Sequence, residues 1–170
     1  MDKGLVHLYC GNGKGKTTAA MGLALRALGQ GMQVVVVQFL KNGTSGELEP
    51  LKKLGAAVYS GQPGAKFTFQ MNAEEKAQAT QENNARLAEA LQQPCDLLIL
   101  DEICAARNSG MVDEALAKQA VLERPQHREV VLTGRNPEAW MVEAADYITE
   151  IQSRRHPYKQ GIPARKGIEF

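Results

Sequence analysis

The nine residues CGNGKGKTT at positions 10–18 constrain this chain more than any other stretch. Before them, Val6, Leu8 and Tyr9 read as the end of a buried strand. After them, Ala20, Leu23, Ala24, Ala27 and Leu28 recur at helical spacing. A strand that meets a helix through Gly11, Gly13 and Gly15 can turn its backbone N–H groups toward an anion with no side chain in between. The helix N-terminus adds unpaired N–H groups and the positive end of its dipole. Lys16 supplies a mobile positive charge for phosphate oxygens, and the Thr17 hydroxyl is placed to ligate Mg²⁺. The stretch therefore predicts a phosphate-binding loop. The common pattern is G-x-x-x-x-G-K-[ST], and counting back from Gly15 puts Cys10 where its first glycine belongs. The loop is a variant.

A chain of 170 residues fits one domain with a substantial core. Apolar residues at 44% and charged residues at 23% are ordinary for a globular protein. No apolar run is long enough to span a bilayer, and the first residues lack the zones of a signal peptide, so a cytoplasmic protein without membrane partners is expected. Cys10, Cys95 and Cys104 are odd in number, irregularly spaced and next to strand-like runs, which predicts buried free thiols. His7, His127 and His156 make no metal-ligand spacing. Net charge is +1, but residues 154–170 hold Arg154, Arg155, Lys159, Arg165 and Lys166 against Glu169. That end carries +4 and leaves −3 on residues 1–153. A basic end fits a nucleic-acid patch, a solvated tail or a flap over an anionic ligand, and composition does not choose among them.

Along the chain, Gly29 and Gly31 stop the first helix. Val34–Leu40 (VVVVQFL) has the pattern of a strand buried on both faces. The polar loop KNGTSGELEP follows, then a short helix at Leu51–Leu54 and a short strand at Ala57–Ser60. Residues 61–72 are irregular and carry Phe67 and Phe69, either as caps of the core or as ligand contacts. A polar helix is expected over 74–92, stopped by Pro94. Asp96–Asp101 (DLLILD) is a second buried strand, and its acidic end, Asp101-Glu102, matches the carboxylate that orients Mg²⁺ beside a phosphate loop. A helix at Val112–Leu122 and a strand at Glu129–Leu132 ending in TGR come next. Asn136 and Pro137 read as the N-cap and first residue of a further helix, and Ala145–Ile151 as the last strand.

Strands alternating with helices predict an α/β fold: a mostly parallel, five- to six-stranded sheet with helices on both faces and ligands at the strands' C-terminal edge. The glycine loop, KNGTSGE, Asp101-Glu102 and Thr133-Gly134-Arg135 would all gather there. Residues 1–153 form the nucleotide-binding domain, and 154–170 a basic tail. There is no N-K-x-D guanine-reading motif, no LSGGQ-like signature and no arginine-rich lid. From residues alone the reading stops at a Mg-nucleotide-binding domain.

Resemblance extends it. GNGKGKTTAAMGLALRALG, VVVVQFLK…GEL, FTF, LLILDEI, EVVLTGR and HPYKQGIPARKGIEF, in this order over nearly the whole chain, resemble the P-loop-type ATP:corrinoid adenosyltransferases. The resemblance implies a P-loop NTPase-like fold and attack by the Co(I) centre of a reduced corrinoid, cobalamin or a precursor, on the 5′-carbon of ATP. The 5′-deoxyadenosyl group is transferred and triphosphate leaves. It implies that Gly11, Asn12, Gly13, Lys14, Gly15, Lys16, Thr17 and Thr18 bind ATP, with Lys16, Thr17 and Glu102 catalytic and Thr17 and Glu102 holding Mg²⁺ or Mn²⁺. Phe67 and Phe69 match an aromatic pair that lies under the corrin and displaces the lower cobalt ligand. It further implies a homodimer, an electron donor such as a flavoprotein, and no nucleic-acid partner. Phe69 stands where relatives often have Trp, CAARNSG at 104–110 departs from an Asn and a tyrosine-bearing turn, and Pro163 replaces an expected Lys. Two other classes remain: a P-loop ATPase or small-molecule kinase releasing ADP, and a non-catalytic nucleotide- or corrinoid-binding protein.

Overall fold

The chain's longest β-branched and leucine-rich runs become the middle of a single parallel sheet. In the computed structural model, which describes residues 3–62 and 70–170, β1 is Val6–Cys10, β2 Val34–Gln38, β3 Ala57–Tyr59, β4 Leu97–Asp101, β5 Glu129–Thr133 and β6 Tyr147–Glu150. Their order is β3-β2-β4-β5-β1-β6 and every pairing is parallel. β2 and β4 are buried at every residue, as expected for strands covered on both faces. The edge strand β6 is exposed throughout, and the other edge, β3, is half-buried. The acidic strand β4 does not touch the loop strand β1, because β5 lies between them.

Helices cover both faces, as the alternating pattern predicts. On one side α1 (Lys16–Gly29) and α2 (Leu48–Lys53) place Ala20, Ala24 and Leu51 against Val34, Val36, Leu97 and Ile99. On the other, α3 (Ala73–Leu91), α4 (Ile103–Asn108), α5 (Glu114–Leu122) and α6 (Ala139–Ala144) pack over Val35, Val37, Leu98, Leu100 and Leu132. Each fully buried leucine or valine there contributes about 1.5–3 kcal/mol from burial alone. α3 starts with a reciprocal cap: Asn72 Oδ1 accepts from Glu75 N at 2.8 Å, and Glu75 Oε2 accepts from Asn72 N at 2.9 Å.

Two expected helix starts are corrected, and one helix is unexpected. Residues 103–108 form helix α4, in a stretch for which the sequence predicts no element; Ile103, Cys104 and Ala106 are buried and hold it on the sheet. The helix expected from Val112 begins at Glu114, after the buried Met111 and Val112. The helix expected from Asn136-Pro137 begins at Ala139 with Glu138 as its N-cap residue. Asn136 lies at φ 51°, so the turn after β5 is made there and the helix starts later. The three cysteines are buried and free, as expected. Beyond β6 the chain is half-buried at Ile151, Ser153 and His156, exposed elsewhere, and has one short 3₁₀ turn, at Pro157–Gln160. No helix among the described residues is long and apolar enough to cross a membrane.

Candidate active site

The glycine loop is fixed by the strand that follows it latest in sequence. Cys10 is the last residue of β1; its carbonyl accepts from Ile151 N at 2.8 Å, and Ile151 O accepts from Gly13 N at 2.7 Å. A Cβ on Gly11 or Gly13 would stand 2.5 or 2.8 Å from that same Ile151 oxygen, so side chains are excluded at both. Asn12 completes the clamp by accepting from Ser153 N at 2.9 Å through Oδ1. Cys10, unlike Gly11 and Gly15, needs no positive φ, because β1 extends one residue to pair with Glu150. This is why the loop dispenses with its first glycine.

Gly15, at φ 123°, is the N-cap residue of α1 and gives the helix no side-chain cap. The first N–H groups of α1 therefore face the loop with the dipole's positive end behind them. Lys16 is buried, and its Nζ donates to Gly13 O at 2.8 Å, across the loop. Burial pulls its amine below the ordinary lysine range, and the nearby Glu102 carboxylate opposes that shift. Lys14 and Thr18 are exposed on the loop's outer side.

Thr17 points to the end of β4. Its Oγ1 donates to Asp101 Oδ1 at 2.9 Å, although the two residues are 84 positions apart. Asp101 is 0% exposed and is held by four groups. Oδ1 also accepts from Thr133 Oγ1 at 2.7 Å. Oδ2 accepts from Lys41 Nζ at 2.7 Å and from Gln38 Nε2 at 3.2 Å. Gln38 sits opposite Asp101 in the register of β2 and β4, and accepts in turn from Ser60 Oγ at 3.2 Å. Glu102, next in sequence, adopts a left-handed conformation at φ 61° and donates its N–H to Thr133 Oγ1 at 2.9 Å. Its carboxyl is pushed above the ordinary range, first by burial and then by the Asp101 charge; Lys41, Lys16 and Arg135 oppose the shift.

The structure thus brings Lys16, Thr17, Asp101, Glu102 and Thr133 to one point on the sheet's C-terminal edge. Phe67 and Phe69 lie outside the described residues. Sequence reasoning did not single out Lys41 or Gln38; it read Asp101-Glu102 together as the acidic partner, and the resemblance assigned the metal to Glu102 alone. The signal for Asp101 was its place as the last residue of an apolar strand. Lys41 carried only the weak signal of a charge at a strand end. A cavity of about 440 Å³ beside the loop is lined by Gly11, Asn12, Arg135, Glu150, Ser153 and Arg154. Among the described residues no group of three His, Cys, Asp or Glu side chains is placed to hold a metal. A divalent ion here would need hard oxygen donors, and the Thr17 hydroxyl and Glu102 carboxylate are of that kind.

The family description ATP:corrinoid adenosyltransferase BtuR/CobO/CobP matches residues 2–170. The corrinoid adenosyltransferase of Pseudomonas aeruginosa is 36% identical over 172 residues, covering 99% of this chain and 85% of that protein. Corrinoid adenosyltransferase CobA of Salmonella typhimurium is 33% identical over 180 residues, covering 99% and 87%. The Escherichia coli K12 corrinoid adenosyltransferase is 33% identical over 178 residues, with the same coverage. With its glycine loop, its buried carboxylate and its near-complete match, the chain belongs to the ATP:corrinoid adenosyltransferase family.

Proposed function

We propose that the protein transfers the 5′-deoxyadenosyl group of ATP to the Co(I) centre of a corrinoid, with triphosphate as the leaving group. The observation that carries the reading onto this chain is the meeting of Thr17 with the buried Asp101 at the N-terminus of α1. The carboxylate can only accept, so the Thr17 proton is spent on Asp101 and the hydroxyl's lone pairs face outward. Thr17 and Glu102 would hold Mg²⁺ or Mn²⁺, and the ion would neutralise charge on the triphosphate. Lys16 would exchange Gly13 O for a phosphate oxygen, a small movement of an amine already at the loop's centre. The N–H groups of residues 11–18 would take the remaining charge. A corrinoid that is itself the nucleophile needs no activated serine or cysteine from the protein.

The rest of the reading follows the resemblance: Phe67 and Phe69 against the corrin, an electron donor such as a flavoprotein, and a cytoplasmic homodimer. The basic tail, 154–170, is proposed to pack beside the site. In support, Glu169 lies within electrostatic reach of Lys14, and the Phe170 backbone comes within 3.8 Å of a Cβ built on Gly46.

The decisive experiment is anaerobic incubation with ATP, Mg²⁺ and chemically reduced cobalamin, followed by separation of products. Adenosylcobalamin with intact triphosphate is expected. ADP and free phosphate without an adenosylated corrinoid would move the protein to the ATPase or kinase class.

A further inference from the structure

Thr17 Oγ1 has one proton and gives it to Asp101. On its acceptor side stands the Lys41 ammonium, 3.5 Å away. The same ammonium is 2.7 Å from Asp101 Oδ2, so it bridges the threonine hydroxyl and the acidic end of β4. A divalent cation on the remaining lone pair of Thr17 would lie within a few ångströms of that ammonium, and the two like charges would repel in a partly buried site. A second acceptor waits on the outer side of Lys41: Glu47 Oε1 is 3.9 Å from Nζ, and Glu47 also accepts from Gln38 Nε2 at 3.0 Å.

The backbone around Lys41 is pinned, which leaves the side chain as the moving part. Leu40, at φ 54°, holds a conformation disfavoured for a leucine and turns the chain back over the sheet edge. Lys41 O and Gly61, and Gly43 and Gly61 O, approach so closely that a Cβ on either glycine would stand 2.1 Å from the facing oxygen. A lysine side chain with four rotatable bonds can cross from Asp101 to Glu47 within that frame.

We propose that Lys41 and the divalent cation exclude each other from the space beside Thr17, so that the ion binds as the Lys41 ammonium swings from Asp101 to Glu47. Lys41 is then a positioning residue that keeps the bare metal out. This rests on the metal reading given above. When nucleotide arrives with the ion, the triphosphate charge favours the exchange, which ties metal binding to ATP.

The test is Mn²⁺ retained by the protein in equilibrium dialysis, with and without ATP in both chambers, counted by electron paramagnetic resonance as the excess of total metal over the protein-free chamber. Wild type, Lys41→Gln and Lys41→Met are compared. Glutamine keeps an N–H donor for Asp101 and so preserves the fold if methionine does not. Wild type is expected to hold Mn²⁺ weakly alone and firmly with ATP. Both neutral variants are expected to hold Mn²⁺ alone about tenfold more tightly or better, the scale of removing a like charge within a few ångströms of a partly buried site. Wild type that retains no Mn²⁺ even with ATP would overturn the metal reading, and this proposal with it. ATP-dependent retention in wild type, with unchanged or weaker Mn²⁺ binding in the folded variants, would overturn the Lys41 proposal alone. A purely structural Lys41 gives that second result together with a lower melting temperature.

Discussion

At the scale of single residues, the site is a set of side chains whose hydrogen-bonding capacity is almost fully spent. Lys16 has its amine inside the loop, where burial holds it below the usual range. Lys16→Ala should lower ATP affinity and adenosyl transfer together, by about 10²–10³-fold in the transfer step, measured by nucleotide titration and single-turnover assay. Full activity would remove the phosphate loop from the mechanism. Thr133 serves two partners, donating to Asp101 and accepting from the Glu102 N–H. Thr133→Val keeps the shape and removes both bonds; Asp101 keeps its other three donors, whereas the Glu102 N–H loses its acceptor, so the cost should be about 1–3 kcal/mol. Urea unfolding measures that loss, and a neutral result would mean that water replaces the hydroxyl. The sequence showed TGR at a strand end, but nothing in it showed that Thr133 lies between the two acidic residues.

At the scale of elements, local signals proved legible in proportion to how local their causes are. VVVVQ and LLILD became strands because a run buried on both faces has no other regular solution in a parallel sheet. CAARNSG did not read as helical, because α4 is short and is held by what Ile103, Cys104 and Ala106 touch rather than by propensity. α3 is the opposite case. It is 19 residues long and polar, with only Asn83, Leu87 and Ala90 buried, and it depends on its start. Asn72→Ala removes the side-chain half of the cap, leaves the backbone N–H of residue 72 to Glu75, and should cost about 1 kcal/mol. The expected readout is a lower thermal midpoint with faster amide exchange in the first turn of α3; exchange unchanged there would show that packing alone sets the helix start.

For the molecule as a whole, a parallel sheet closed by helices on both sides leaves its thiols out of reach. Cys10, Cys95 and Cys104 are all buried, and burial raises each thiol above its ordinary value, Cys104 to about 12. A raised thiol contributes stability that is complete below the ordinary cysteine value and is lost as pH rises through about 12. Between pH 7 and 8.5 the folded protein should therefore resist iodoacetamide at Cys104, and the residue should react only through opening of the fold. Mass spectrometry of the alkylated peptide checks this, and rapid labelling without unfolding would contradict the packing of α4 on β5.

The sequence by itself determined the strand–loop–helix unit, the doubly buried strands and the edge at which ligands gather. Each depends on residues within a few positions of one another, where backbone sterics and burial periodicity act directly. Tertiary structure decided the strand order, with β5 set between β1 and β4. It decided that Ile151, from the far end of the chain, shapes the glycine loop. It also decided that Asp101 stands behind Thr17 while Lys41 stands in front. Those pairings join residues 24 to 141 positions apart, and no chain periodicity encodes them. They follow from how six strands share one sheet and bury one carboxylate where four donors can reach it.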